Sequence, residues 1–222
     1  FIMPANDVTI SVTFKIVNYT IAKSETTNGS FSVQETATYG ENVTINVTPA
    51  TGYVLDQILV DGVALGVGET SFIMPANDVT VGVTFKIYTL ELSDITYTTS
   101  GTDLTITKVT ATATTYEIPS TFVIGGTTYT VKSLRGTSSG GIDTDAVKVI
   151  LPSTLTSIGQ FAFKSCRSLE SIEIPDTVTI IAGSAFLNCT SLASITIPNG
   201  VTNIGISAFK NTYLYNNAHD GD

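Results

Sequence analysis

The stretch SLESIEIPDTVTIIAGSAFLNCTSLASITIP, residues 168–198, contains one complete repeat unit and the start of the next. A proline, an isoleucine, an alanine and a phenylalanine recur there and in the flanking sequence at a step of 23 residues. The recurring positions are Pro152, Pro175 and Pro198; Ile158, Ile181 and Ile204; Ala162, Ala185 and Ala208; and Phe163, Phe186 and Phe209. A unit this short cannot bury its own apolar residues, so each must stack on its counterpart in the next coil. The period therefore predicts a solenoid.

The unit can be written L-x-x-I-x-I-P-x-x-V-T-x-I-x-x-x-A-F-x-x-C-x-S. Over residues 146–215 it resembles the leucine-rich repeats of BspA-type bacterial surface proteins. The resemblance implies a leucine-rich repeat solenoid. It also implies adhesion to host proteins, matrix proteins or other cells as the role.

A second duplication lies at the start of the sequence, where residues 1–16 and 72–87 share fourteen of sixteen letters. Apolar and polar residues alternate in segments such as ENVTINVTP (41–49) and DVTVGVTFK (78–86), as in half-buried strands. Turn signals such as Asn28-Gly29 and Asp61-Gly62 separate the segments. We interpret residues 17–88 as one all-β module and residues 1–16 as the last strand of a preceding copy.

The stretches P-x-x-G-Y and F-x-M-P-x-N-D-V-x-V carry a resemblance of residues 1–88 to the divergent internalin-type B-repeat of bacterial surface proteins. Such repeats look like stalks and spacers. Because residues 1–16 alternate like a strand but lack their own module, we expect them to pair with the following module or with a neighbouring molecule.

Residues 89–135 lie between the two repeats and contain strand-like segments around Gly125-Gly126, a hairpin turn signal. This region resembles the β-hairpin cap that precedes BspA-type repeats. Residues 136–222 then form the solenoid, whose first coil is degenerate. The fold class predicted for the whole chain is all-β dominated: a small β-rich repeat module followed by a capped leucine-rich repeat solenoid.

The composition excludes several classes of function. The net charge is -9 and charged residues make up 13% of the 222 residues, which opposes binding to nucleic acid or to anionic membranes. No apolar run is long enough to span a bilayer, so we expect no membrane insertion. The low charge, the absence of Trp and the many Thr, Ser and Gly residues favour an extracellular or cell-surface setting.

The sequence offers little to support catalysis, cofactors or metals. His219 is the single histidine and lies in a polar tail, and no phosphate-binding loop, dinucleotide fingerprint or zinc motif occurs. The acidic GIDTDA (141–146) could supply oxygen ligands to calcium, but such Asp residues more often form turns. Glu170 and Glu173 fall on opposite faces of a strand, which argues against a shared glycoside substrate. We therefore predict a protein that is not an enzyme and has no cofactor or metal.

Cys166 and Cys189 lie one repeat apart, on adjacent coils. Strand spacing in a solenoid is about 4.8 Å, which a disulfide could tolerate. The third equivalent position is Thr212, so the coil needs a small, weakly polar, buried residue there, and we predict reduced thiols.

Strand alternation also predicts an interaction face. It directs Ile172 and Ile174, and equally Ile195 and Ile197, into the core. The intervening residues then face outward in two stripes, Lys148, Ser171 and Ser194, and Ile150, Glu173 and Thr196. Stacked strands form a wall that repeat proteins use to bind large partners, here host, matrix or cell-surface proteins. Two alternatives remain open: a structural stalk with its ligand site elsewhere, and a carbohydrate-binding module, although the aromatic platform expected for sugars is missing.

Overall fold

The computed structural model describes residue 9 and residues 11–217, and the regular secondary structure of these residues is almost entirely β. The chain divides into two compact units, one of Phe1–Ala50 with Leu55–Phe85 and one of Thr51–Val54 with Lys86–Asp222. Among residues 9 and 11–217, helical structure is limited to a 3₁₀ turn, Leu92–Asp94, and a short helix α1, Tyr213–Asn217. Within the described residues, no helix is long and apolar enough to cross a membrane. The predicted all-β solenoid class is confirmed.

Nine strands follow one another up to Thr89. They are β1 (Asn18–Lys23), β2 (Gly29–Ser32), β3 (Thr36–Thr38), β4 (Asn42–Thr44), β5 (Asn46–Pro49), β6 (Tyr53–Val60), β7 (Val63–Ala64), β8 (Ser71–Ile73) and β9 (Val79–Thr89). β1 pairs antiparallel with β3 and parallel with β9. In β9, Val79, Val81, Val83 and Phe85 are buried and alternate with less buried residues, because successive side chains of a strand point to opposite faces.

Residues 11–16 repeat the sequence of part of β9 but do not form a strand. Their apolar side chains are exposed, with Phe14 at 91%. Residues 1–8 and 10 lie outside the described residues. The predicted pairing with the following module is therefore not seen in residues 9 and 11–16, and pairing with a neighbouring molecule stays a prediction.

The second unit begins with five strands that precede the coils. They are β10 (Ile95–Ser100), β11 (Asp103–Val109), β12 (Thr115–Glu117), β13 (Thr121–Ile124) and β14 (Thr127–Leu134). β13 and β14 form the predicted hairpin, in which Gly125 and Gly126 both have positive φ, 56° and 82°. A two-residue type I′ turn requires this conformation at both positions, which Gly adopts at no steric cost.

Short strands of successive coils lie side by side in two rows on opposite sides of the solenoid core, and we call each row a wall. These strands are β15 (Lys148–Ile150), β16 (Ser157–Ile158), β17 (Ser171–Glu173), β18 (Ile180–Ile181), β19 (Ser194–Thr196) and β20 (Asn203–Ile204). One wall continues the hairpin, in the parallel order β14-β16-β18-β20. The other consists of β12 paired with β15, and β17 paired with β19.

The core between the two walls is built from the repeated positions. The alanines and phenylalanines of the first two coils that carry an Ala-Phe pair are fully buried: Ala162, Ala185, Phe163 and Phe186. Each coil turns at two residues whose backbone is left-handed. At the first position the φ values are 60° (Phe161), 56° (Ser184) and 58° (Ser207). At the second they are 60° (Ser165), 63° (Asn188) and 60° (Asn211). The 23-residue period is therefore a period of backbone conformation as well as of side chains.

Fewer apolar side chains are buried in the last coil than in the coils before it. Ile172 and Ile174 are each 4% exposed, as predicted, but Ile195 is only half-buried and Ile197 is 39% exposed. The prediction that Ile197 lies in the core is wrong. No strand pairs with β19 on its far side among the described residues, so no further coil covers the outer flank of Ile197.

Candidate interaction face

The six residues of the predicted stripes lie on β15, β17 and β19, and we call them the strand face: Lys148, Ile150, Ser171, Glu173, Ser194 and Thr196. Ser171 pairs in register with Ser194, and Glu173 pairs with Thr196. Ile150 is half-buried, and the other five side chains are exposed. The central residues Val149 and Ile172 are buried, so the strand face lies on the opposite side of these strands from the core.

The cap extends the strand face by one strand. In β12, Thr115 pairs with Lys148, Tyr116 with Val149 and Glu117 with Ile150. Thr115 therefore joins the row of Lys148, Ser171 and Ser194, and we call this set the first row. Glu117 joins Ile150, Glu173 and Thr196, and we call that set the acidic row. Thr115 is buried, whereas Glu117 is exposed.

Sequence reasoning missed Glu117 and Thr115, because β12 falls outside the 23-residue phase. A signal was present nevertheless, since Glu117-Ile118-Pro119 repeats the letters of Glu173-Ile174-Pro175. Ile118 and Ile174 are both buried, so the two triplets are equivalent in structure as well.

Two adjoining cavities lie along the strand face. The first, about 530 Å³, is lined by Lys148, Ile150, Ser171 and Glu173 together with neighbouring residues of β15 and β17. The second, about 350 Å³, is lined by Ser171, Glu173, Ser194 and Thr196 with neighbours that include Asp176. Ser171, Ile172 and Glu173 line both cavities, and each residue of the strand face lines at least one of them; we call the two cavities together the depression.

The first cavity lies where the wall is interrupted. β15 pairs with β12 and β17 pairs with β19, but among the described strands no ladder joins β15 to β17. The first cavity thus lies between strands that form no ladder, whereas the second lies along the paired strands β17 and β19.

The charges of the depression are few and separated. Lys148 is the only cationic residue that lines the first cavity and Glu173 is its only anionic one. Asp176 adds a second carboxylate at the other cavity. The serines and Thr196 have short side chains, so a ligand can approach the strand backbone closely. This arrangement suits recognition of a polar or charged segment and offers no nucleophile paired with a base.

A buried polar cluster lies near the degenerate coil, away from the strand face. Burial raises the pKa of Tyr116 well above its usual value, and the nearby charge of Asp143 adds to the effect. Burial also raises the pKa of Asp143, although the hydrogen bond that its Oδ1 accepts from the Asp145 amide, 3.0 Å, opposes the shift. That bond closes a local turn, as predicted for GIDTDA.

The two thiols are buried in this region of the core. Cys166 Sγ donates to the Asp143 carbonyl at 2.8 Å and Cys189 Sγ to the Phe163 carbonyl at 2.9 Å, each reaching the preceding coil. Both cysteines are free, and the equivalent Thr212 is also buried. The neighbouring Cys189 side chain and burial raise the pKa of Cys166, which keeps the thiol protonated and unreactive.

The remaining candidates for chemistry do not come together. His219 lies outside the described residues. Within residue 9 and residues 11–217, no group of three or more His, Cys, Asp and Glu side chains is arranged to hold a metal ion.

Residues 143–219 match the family described as BspA type Leucine rich repeat region (6 copies), and residues 19–89 match the Divergent InlB B-repeat domain. The two matches lie in separate parts of the chain. Both resemblances were predicted from the sequence motifs, and both are confirmed. The BspA-type match contains β17 and β19, and the B-repeat match contains β2 to β9 and all of β1 except Asn18. No curated protein shows significant similarity to the chain.

Three solved structures resemble the chain, each covering part of it. A leucine-rich repeat protein of T. pallidum shares 21% identity over 55% of this chain and 66% of its own, with a TM-score of 0.42. A leucine-rich cell surface protein of Faecalibacterium prausnitzii shares 21% identity over 73% and 38%, with a TM-score of 0.41. A leucine-rich repeat protein of Bacteroides ovatus shares 15% identity over 53% and 43%, with a TM-score of 0.31. The chain thus spans less than two thirds of each of these proteins.

Proposed function

We propose that this chain is a non-enzymatic interaction protein of the bacterial surface or of the secreted fraction, and that its strand face binds a protein of a host, a matrix or another cell. One observation carries the proposal: six outward residues from three coils line two adjoining cavities that share the residues of β17. Solenoids commonly use such a wall for large partners, because stacked strands present many side chains at fixed spacing.

The composition and the families support the location and the class of partner. BspA-type repeats and B-repeats both occur in bacterial surface proteins, and the B-repeat domain serves here as a spacer. The net charge of -9 argues against a polyanionic ligand such as nucleic acid. A protein ligand also fits the depression better than a sugar does, because no aromatic residue lines either cavity.

The test is an array of purified extracellular matrix proteins and a parallel glycan array, both probed with the full chain. A double variant, Glu173→Lys with Ser194→Lys, reverses charge and adds bulk at the strand face. A matched control, Glu25→Lys with Ser30→Lys, makes the same changes at exposed positions of the B-repeat domain. We expect a protein ligand whose affinity falls with the first variant and not with the control, while thermal stability is nearly unchanged.

Three results would contradict the proposal. If a protein ligand keeps full affinity for the strand-face variant, the site lies elsewhere. If only glycans bind, the carbohydrate alternative is correct. If nothing binds, the chain acts as a stalk.

A further inference from the structure

The acidic row places two carboxylates on either side of an apolar side chain. Glu117 pairs in register with Ile150 on the adjacent strand, and Glu173 holds the corresponding outward position on β17. Ile150 and Glu173 line the same cavity, so Ile150 lies between the two glutamates in the acidic row. Both glutamates are exposed and Ile150 is half-buried. Within the described residues, no hydrogen bond or ion pair engages either glutamate side chain.

Lysine and arginine match this arrangement in shape and charge. Each has an apolar methylene chain that packs on aliphatic surface and a charged end that seeks carboxylates. We propose that the protein partner presents a lysine or arginine to the acidic row, with its methylene chain on Ile150 and its charged end between Glu117 and Glu173. This inference rests on the proposed binding at the strand face and specifies the partner's chemistry there.

Lys148 restricts where that cation can lie. It is two residues before Ile150 on the same strand and points to the same side, at about 7 Å along the strand. A cation placed over the first row would meet the like charge of Lys148, whereas one placed over the acidic row meets two carboxylates. The opposite charges of the two rows therefore fix the position of the partner as well as its charge.

The experiment selects ligands from a displayed library of random linear peptides with the full chain as bait. A chemically matched pair of variants then tests the selected peptides. Glu117→Gln with Glu173→Gln removes two charges from the acidic row and keeps side-chain size. Glu25→Gln with Glu35→Gln removes two charges from exposed positions of the B-repeat domain. Ser194→Trp blocks the strand face without altering charge.

We expect the library to be enriched in peptides with Lys or Arg, and we expect their binding to be lost with Ser194→Trp. Removing each carboxylate should weaken binding about two- to five-fold, since exposed ion pairs are modest, and added salt should weaken binding further. Acetylation of the peptide lysine should have a similar effect. The control pair should leave affinity unchanged.

Two further outcomes separate the inference from the proposed function. The inference would be overturned by peptides that lose binding with Ser194→Trp but carry no Lys or Arg, or whose affinity does not change when both carboxylates are removed. The proposed binding at the strand face would stand in that case. Peptides that bind equally to the Ser194→Trp variant would overturn both. A library from which nothing is enriched would also overturn the inference, because a row selective for a cationic side chain should retain basic peptides.

Discussion

The ring of Phe186 lies parallel to that of Phe163, with centroids 5.1 Å apart and planes 9° from parallel. Phe209 stacks on the other side of Phe186 at 5.3 Å and 7°. Phe186 is therefore enclosed by the rings of two neighbouring coils, one repeat before it and one after. Stacked aromatic rings contribute about 0.5–1.5 kcal/mol beyond the area that they bury. This ladder of rings joins three coils into one core.

Truncation of Phe186 should consequently be far more costly than truncation of Phe209. We expect Phe186→Ala to destabilise the solenoid by about 3–5 kcal/mol, because it leaves a cavity at a fully buried position and removes both stacking contacts. Phe209 is only half-buried and stacks on one side, so Phe209→Ala should cost less than half as much. Urea unfolding of the full chain measures both. Equal costs for the two variants would show that Phe186 is not at the centre of the stack.

The two buried thiols should resist modification in the native protein. Cys166 and Cys189 are fully buried, and the Cys189 side chain and burial raise the pKa of Cys166, whereas only the thiolate attacks a disulfide reagent. We expect labelling to be at least about 100-fold slower in the native chain than in the urea-unfolded chain, since it requires local opening of the coils. A Ser30→Cys variant carries an exposed thiol as an internal control and should label at once. Rapid native labelling of all thiols would show that the coils do not enclose the cysteines.

The raised pKa of Cys166 also predicts loss of stability in alkaline solution. Folding raises the pKa of this thiol above its value in the unfolded chain, about 8.5. The resulting contribution to native-state stability is complete below about pH 8.5 and is lost as the pH rises above it, because the unfolded chain then releases the proton more readily. We expect the free energy of unfolding to fall by up to about 1.4 kcal/mol per pH unit between pH 8.5 and pH 10.

Cys166→Ser is the control for this pH dependence, because a serine hydroxyl does not titrate in the range and can still donate to the Asp143 carbonyl. Its unfolding free energy should fall less steeply between the same pH values. A wild-type slope equal to that of Cys166→Ser would mean that the Cys166 thiol titrates alike in the folded and unfolded chain.

The sequence was sufficient to predict the repeat because a 23-residue unit has only one way to bury its apolar side chains. Phe163, Phe186 and the buried Thr212 thus occupy the places that their phase implies. The alternation of apolar and polar residues could not predict the exposure of Ile197. Alternation indicates which side of the strand a residue lies on, but not whether another coil covers that residue. Glu117 joins the acidic row because β12 of the cap pairs with β15, and the 23-residue period of the sequence does not predict that pairing. Left-handed backbone at Phe161 and Ser184 was equally inaccessible, because neither residue type favours it.

Two glycines of the last coils differ in how closely the neighbouring coil approaches them. A Cβ on Gly205 would lie 2.2 Å from the Gly183 backbone nitrogen, far inside any real contact, and backbone atoms cannot turn aside as a side chain can. A Cβ on Gly183 would lie 3.3 Å from the Ile206 carbonyl oxygen, which is close, but a shift of a few tenths of an ångström relieves it. The two positions therefore form a matched pair for one substitution.

We expect Gly205→Ala to destabilise the solenoid by about 1–3 kcal/mol, as overpacking that forces the backbone to shift does. Gly183→Ala should stay within about 1 kcal/mol of wild type in either direction, because alanine restricts the unfolded chain and offsets the small crowding. Urea midpoints of the two variants, with near-UV circular dichroism to check that tertiary packing is retained, provide the comparison. If Gly205→Ala is as stable as Gly183→Ala, the last two coils lie further apart than the structure places them.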